Sequence, residues 1–255
     1  MQYWVFLQNA LTGDLGTSFV YNTPSIQLIV QRFPATLELA IAALLIALVL
    51  GLPLGLYAGL NPGSRADRAI VTGSILGFSL PNFWQGLMLI LIFSIWLGWL
   101  PSSGRGETGT ILGIETSFAT WDGIAHLILP ATNLALFKLA LVIRLTRAQV
   151  RETMPLDFVR FGRARGLSER RIVGVHVGKT VAAPIVTVIG MELGSVIAFA
   201  VITESIFAWP GMGKLIIDSI NNLDPAYLLV ITFLFIVINL VVDILYTVLN
   251  PRVKL

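Results

Sequence analysis

LELAIAALLIALVLGLPLGLYAGL, residues 37–60, decides the architecture. Its one ionisable group is Glu38, and the rest is apolar or small. About 20 such residues cross a membrane, because a helix rises ~1.5 Å per residue and the hydrocarbon layer is ~30 Å thick. Four further stretches qualify, at residues 70–97, 127–145, 184–207 and 227–249. In lipid each segment must satisfy its own backbone polar groups, so these are helices. The alternation of barrel strands, with a period of about ten residues per strand, is absent. The expected fold is all-α, a polytopic transmembrane helix bundle with five visible spans.

Composition agrees. Of 255 residues, 56% are hydrophobic and 12% charged, whereas a soluble domain carries roughly 25% charged residues. A freely soluble enzyme and a disordered tail are excluded. The absence of cysteine rules out disulfides, thiolate metal sites and cysteine nucleophiles. A chain this apolar is not expected to bind nucleic acid, despite its net charge of +3.

The basic residues set the orientation. Thirteen of the seventeen fall on one side: Arg65, Arg68, nine between Arg144 and Lys179, then Arg252 and Lys254. Only Arg32, Arg105 and Lys214 fall on the other, and Lys138 lies within a span. The first side is the cytoplasmic one, which puts the C-terminus inside. Residues 1–36 then form an extracytoplasmic segment ahead of a transmembrane domain at 37–255. Residues 1–7 are too short and lack the basic flank of a signal peptide. Either an upstream helix is missing or a short tail crosses unaided; the first is the preferred expectation.

The cytoplasmic loop at 146–183 holds the densest charge. Pro155 suits a helix start, with Leu156, Val159 and Phe158 towards one side. Gly166 breaks the pattern, and Ser168 suits the N-cap of a second short helix reaching about Val175. Two readings stand. Anionic membrane lipid can hold such a positive loop. Alternatively the bulky apolar Leu156, Phe158, Val159 and Phe161, ringed by arginine, form a docking surface for a partner. On the other side, the stretch after Trp209-Pro210-Gly211-Met212-Gly213 has an apolar patch suited to a short re-entrant helix.

Small residues recur every four positions at Gly51, Gly55 and Gly59, at Gly73 and Gly77, and at Gly190 and Gly194. Such rows let helix backbones approach closely and read as packing seams. Pro53 and Pro81 are candidate kinks, with Pro81-Asn82 interrupting the second span. Glu38, Lys138, Glu192, Glu204 and Asp243 lie in or near spans, where ionised groups must face the bundle or a wet cavity. A proton relay through them is one reading; for Glu38 and Glu204, solvation at the span ends is the simpler one. Gly174-Val175-His176-Val177-Gly178-Lys179-Thr180 resembles a phosphate loop but has three residues between its glycines instead of four, and no preceding strand. His126 and His176 fall on opposite sides of the membrane and cannot share a metal.

The order of features resembles the B-type permease of the oligopeptide/dipeptide/nickel branch of bacterial binding-protein-dependent ABC importers. The similarity runs through Thr12-Gly13-Asp14-Leu15-Gly16-Thr17-Ser18, Arg32-Phe33-Pro34-Ala35-Thr36-Leu37-Glu38-Leu39-Ala40 and Ser79-Leu80-Pro81-Asn82-Phe83-Trp84. It continues through Phe207-Ala208-Trp209-Pro210-Gly211-Met212-Gly213 and Leu249-Asn250-Pro251-Arg252. In the loop, Arg160-Phe161-Gly162 stands where the family has Glu-Ala-Ala, with Gly166 four residues on.

The resemblance implies a type I importer fold whose first of six helices lies upstream of residue 1. It implies a homologous second permease subunit, two cytoplasmic ATPases that bind ATP and Mg, and an extracytoplasmic solute-binding protein. The chain itself would carry no cofactor and no catalytic or metal residues, and would sit in the bacterial inner membrane. Its ATPase-coupling loop would comprise Leu156, Asp157, Phe158, Val159, Arg160, Phe161, Gly162, Arg163, Arg165 and Gly166. Leu156, Phe158, Val159 and Phe161 would give apolar contacts, and Gly166 the turn. The alternative is an ion-coupled secondary transporter using Glu192, Asp243 and Lys138.

Overall fold

The apolar runs become helices longer than a bilayer requires. The computed structural model describes residues 23–222 apart from 112. The expected span at 227–249, Asp243 and the first and last family segments lie outside the described residues. Helix α1 spans Ser25–Leu60, running unbroken through Pro34 and Pro53. At ~1.5 Å per residue its 36 residues reach about 54 Å, so it extends well past one face of a 30 Å layer. It starts at Ser25, ahead of residue 37, because the Pro34 and Arg32 region continues the helix instead of ending it.

Helix α2, Arg65–Ser79, is started by Ser64, whose hydroxyl accepts from Asp67 N at 3.0 Å while Asp67 accepts from Gly63 N at 2.9 Å. After the break at Leu80 and Pro81, α3 covers Asn82–Leu89 and continues as a π-helical stretch, Ile90–Trp96. The two parts meet at 104°, so the expected second span is a sharply broken pair. The break is held by Gln85, which donates to the carbonyls of Gly77 and of Leu80, the latter at 3.1 Å. These are carbonyls that the end of α2 leaves without helical donors.

An antiparallel hairpin, β1 Gly109–Ile111 and β2 Ile114–Thr116, lies in the next loop and was not expected from sequence. Thr120 then caps α4, Trp121–Thr153, through Gly123 N at 3.0 Å. Helix α5 covers Asp157–Ala164. Helix α6, Glu169–Arg171, passes through a π-helical stretch, Ile172–Val177, into α7, Gly178–Ile206. The second short helix expected to stop near Val175 instead runs on without a break into α7. Helix α8, Met212–Asn221, follows as the short helix anticipated there. Among the described residues, Ile26–Leu60 and Trp121–Thr153 are long and apolar enough to cross a membrane. Two bent pairs raise the number to four if each counts as one span.

The core is the α1–α4 contact, extended by α7. A Cβ at Gly51 would meet Val142 Cγ1 at 2.7 Å, at Gly55 Thr146 Cβ at 2.6 Å, and at Gly59 Val150 Cβ at 2.7 Å. Each step of four along α1 is matched by a step of four along α4, so the helices run parallel in backbone-close contact. At Gly51, Gly55 and Gly59 an added Cβ would meet α4 at under 3 Å. Gly194 is buried, but nothing lies within 4 Å of a Cβ at Gly190, Gly73 or Gly77. Among the described residues, then, Gly190 makes no close helix contact.

The seam is closed at the arginine-rich end by Asp67, which is 3% exposed. It accepts from Arg147 Nε at 2.6 Å and from the second guanidinium arm at 2.9 Å, tying α2 to α4. Such a planar, two-pronged pair fixes orientation as well as distance.

Replacing Gly55 by leucine should cost several kcal/mol, since overpacking alone costs about 1–3 kcal/mol and here backbone atoms are also in the way. Gly73→Ala should leave stability unchanged or slightly higher. Thermal unfolding of the detergent-solubilised protein checks both, and equal melting of the two variants would contradict the seam.

Candidate functional site

At the arginine-rich end, α4 stops at Thr153 and the chain turns through Met154 and Pro155. Leu156 precedes α5, and its carbonyl accepts from Val159 N at 3.0 Å and Arg160 N at 3.3 Å. Pro155 therefore sits in the turn, two residues ahead of the helix. Asp157 lies in the first turn and Arg163 in the last, matching the helix dipole at both ends.

One side of α5 is packed and the other is open. Val159 is fully buried against Val150, Ile172, Val177, Val181 and Ile185, and Gly162 is buried beside Ile172 and Leu167. Val159 was expected among the outward apolar contacts; it faces inward instead, because this side of α5 covers the ends of α4 and α7. Leu156, Phe158 and Phe161 remain outward, at 45%, 42% and 57% exposure. The Arg165 guanidinium lies 4.4 Å from the Phe161 ring centre, and Arg160 stands exposed beside Asp157. The result is an apolar ridge with a basic border, rigidly footed on two long helices.

Gly166 has φ +76°, the left-handed conformation that lets a helix end and reverse. Gly166 N donates to Arg163 O at 2.9 Å and Leu167 N to Gly162 O at 3.1 Å, the paired bonds of a Schellman turn. Arg163 then grips Glu169 with two bonds, at 2.6 and 3.2 Å, across that turn. Hydrogen bonding to Arg163 holds the Glu169 carboxyl below its ordinary range. The phosphate-loop-like residues 174–180 are helical.

In the bundle's middle, Lys138 of α4 donates to Glu192 of α7 and to Ser195 Oγ at 2.8 Å. Nearer the break, Asn133 donates to Asn82 at 2.6 Å and to Thr203 at 3.1 Å, joining α3, α4 and α7. At the opposite end, Glu204 is fully buried. It accepts from Thr36 at 2.6 Å and from Lys214 N at 3.0 Å, the first turn of α8. Thr36 in turn accepts from Met212 N at 2.8 Å, and Trp209 Nε1 donates to Ala35 O at 2.9 Å. Glu38, 5% exposed, binds Arg105 at 2.5 Å and Ser117 N at 2.7 Å.

The simple expectation of solvated carboxylates at span ends is thus overturned for both residues. Each is buried because it anchors an irregular segment to α1. The glycines beside Glu204 were the signal in the sequence: a Cβ at Gly211 would fall 2.2 Å from Glu204 Oε1. Between α1, the hairpin and Pro210, a cleft of about 550 Å³ opens at this end, with Arg32, Arg105 and Glu115 in its wall. Among the described residues no group of three or more His, Asp or Glu could hold a metal ion.

The binding-protein-dependent transport system inner membrane component family matches residues 51–255. The di/tripeptide transport system permease protein DppB of Pseudomonas aeruginosa is 42% identical over 99% of this chain and 80% of its own length. The oligopeptide transport system permease protein AppB of Bacillus subtilis is 38% identical over the whole of this chain and 80% of its own. Among solved structures, an inward-facing form of the MetNI methionine ABC transporter aligns with TM-score 0.68 at 15% identity, over 90% of this chain and 97% of that one. An amino acid ABC transporter aligns at 0.62 and 15% identity, over 89% and 95%. These two likenesses concern the fold alone.

Gly162→Ala should be neutral or stabilising, because a Cβ there meets its neighbours at 3.6 Å and alanine favours helix by about 1 kcal/mol. Gly166→Ala has open space but the wrong backbone region, and should cost about 1 kcal/mol. Thermal melts of the two variants should move in opposite directions. Glu204→Ala leaves Thr36 and the first turn of α8 without their acceptor, at about 1–3 kcal/mol for each buried group left unpaired. Hydrogen–deuterium exchange over residues 212–221 should then rise strongly, and unchanged protection would contradict the anchor.

Proposed function

The chain belongs to the family of binding-protein-dependent transport system inner membrane components, and from that premise we propose that it forms one wall of the solute pathway in a peptide importer. It is a multi-pass inner-membrane permease subunit of an ABC importer, working with partner components. Short peptides are the proposed substrates, as the names of the DppB and AppB relatives suggest. The proposed partners are a homologous second permease, two ATPases on the arginine-rich side and a binding protein at the hairpin side. ATP and Mg then act in the ATPases, and the C-terminus lies in the cytoplasm.

The observation that carries the coupling role is the two-sidedness of α5. Leu156, Phe158 and Phe161 project from a helix whose other side, through Val159, is locked to α4 and α7. Apolar anchors with a basic border suit a groove on an ATPase, the anchors giving affinity and Arg160, Arg163 and Arg165 complementarity. A push on α5 is transmitted because α4 continues from that contact for 33 residues to the far end. It also reaches α2 through the Asp67–Arg147 pair and hence the broken helix. Alternating access follows if ATPase closure displaces α5: α4 and α7 move together, and the α2–α3 break and α8 change their fit against α1.

Phe161→Glu should leave insertion intact, since the side chain is exposed in this chain, and should weaken ATPase binding roughly thirtyfold, the effect of a ~2 kcal/mol anchor. Uptake into proteoliposomes containing the full assembly should need ATP and the binding protein. Uptake driven by a proton or sodium gradient without the ATPases would overturn the reading.

A further inference from the structure

Lys138 stands midway along α4 and Glu192 midway along α7, at the depth where a bilayer solvates ions worst. The Lys138 side chain is 6% exposed and enclosed by Glu192, Ser195 and two rings, Phe137 at 5.1 Å and Phe199 at 5.8 Å. Glu192 is different: 26% of its side chain remains open. The Phe137 ring packs on Phe78 at 4.7 Å and on Phe199 at 5.5 Å, and both outer rings are nearly half exposed. On the far side of Phe78 lies Arg144, its guanidinium 5.8 Å from that ring. Arg144 is exposed, and among the described residues it has no carboxylate partner.

The strip therefore runs from a partly open carboxylate across three aromatic rings to a guanidinium that no carboxylate among the described residues pairs. A carboxylate with a quarter of its side chain open at mid-depth is too costly to face lipid tails, so this strip faces water or another protein wall. Among the described residues nothing lies within 4 Å of a Cβ at the neighbouring Gly77.

Six residues separate Lys138 from Arg144, about 9 Å along the helix. Arg144 folds back to its own turn, Nε donating to Ala140 O at 3.2 Å. An extended chain spans at most ~3.3–3.6 Å per residue, so a dipeptide reaches roughly 7 Å and a tripeptide roughly 10 Å. The axial rise from Lys138 to Arg144 falls within that range.

We propose that this strip is a transient site for a short zwitterionic peptide, the α-carboxylate on Arg144, the α-ammonium on the open edge of Glu192, and the side chains over Phe78, Phe137 and Phe199. Lys138 is the positioning residue that holds Glu192 in place. The pairing is charge-assisted at both termini, and the aromatic platform accepts varied side chains because stacking and apolar contact need no particular polar partner. The proposal rests on the peptide-transport reading and assigns the residues within it.

The test uses the complete assembly in proteoliposomes, with the binding protein equally loaded with dialanine or with C-amidated dialanine. The wild type should import the free dipeptide at least fivefold faster per ATP hydrolysed. Arg144→Gln should reduce that preference to within twofold while binding-protein-stimulated ATP hydrolysis persists, and Arg144→Lys should restore most of it. The double variant Lys138→Gln/Glu192→Gln removes both charges without leaving one unpaired, and should lower dialanine uptake per ATP at least fivefold. Wild-type preference in Arg144→Gln overturns the proposal, as does loss of uptake only in proportion to loss of assembled protein. Absence of ATP-driven dialanine uptake by the wild type would instead remove the transport reading beneath it.

Discussion

The close approach of α1 and α4 is the contact on which the rest of the molecule depends. Gly51, Gly55 and Gly59 let the two backbones meet at distances that a single added methyl would forbid. In lipid there is no hydrophobic gain from driving helices together, so such contacts rely on packing and on interhelical polar bonds. The seam supplies the first for α1 and α4, and Asp67–Arg147 supplies the second between α4 and the neighbouring α2. Once α1 and α4 form one rigid parallel pair, α7, α5 and α8 each have a fixed surface to pack against.

Buried polar groups recur where the chain is not regular helix. Gln85 reaches back over the end of α2 at the 104° break. Glu204 and Thr36 hold the start of α8, and Glu38 holds Arg105 and the turn before α4. Non-helical backbone inside a membrane protein survives only where protein or water satisfies it. These side chains are that protein. They also concentrate at the two ends and at the break, the segments an alternating-access bundle has to move, so the polar bonds define which pieces travel as units.

Much of this was readable along the chain, and the failures share a cause. Length and hydropathy located helices at 37–60, 70–97 and 127–145, because the 30 Å layer imposes a minimum run on any sequence. Gly166 was readable as a turn because only glycine takes φ +76° without strain. The break at Pro81-Asn82 was readable from proline's missing N–H. Val159, Glu38 and Glu204 were misplaced. In each case the residue's neighbours are distant in sequence: Val159 meets Ile172 and Val181, Glu204 meets Thr36. The hairpin at residues 109–116 was missed because three-residue strands leave too short an alternation to register.

By itself the sequence determined that this chain lives in a membrane, that its arginines gather at one end of the spans, which family it belongs to, and where its turns must fall. Those properties are local or additive: hydrophobic length, charge placement, and backbone preferences of glycine and proline. The tertiary structure alone decided that α5 shows Leu156, Phe158 and Phe161 outward and Val159 inward. It also decided that Lys138 takes Glu192 as its partner while Arg144 bonds back to the Ala140 carbonyl of its own helix. Burial and ion pairing are properties of the space between helices, and that space exists only once α1, α4 and α7 have packed.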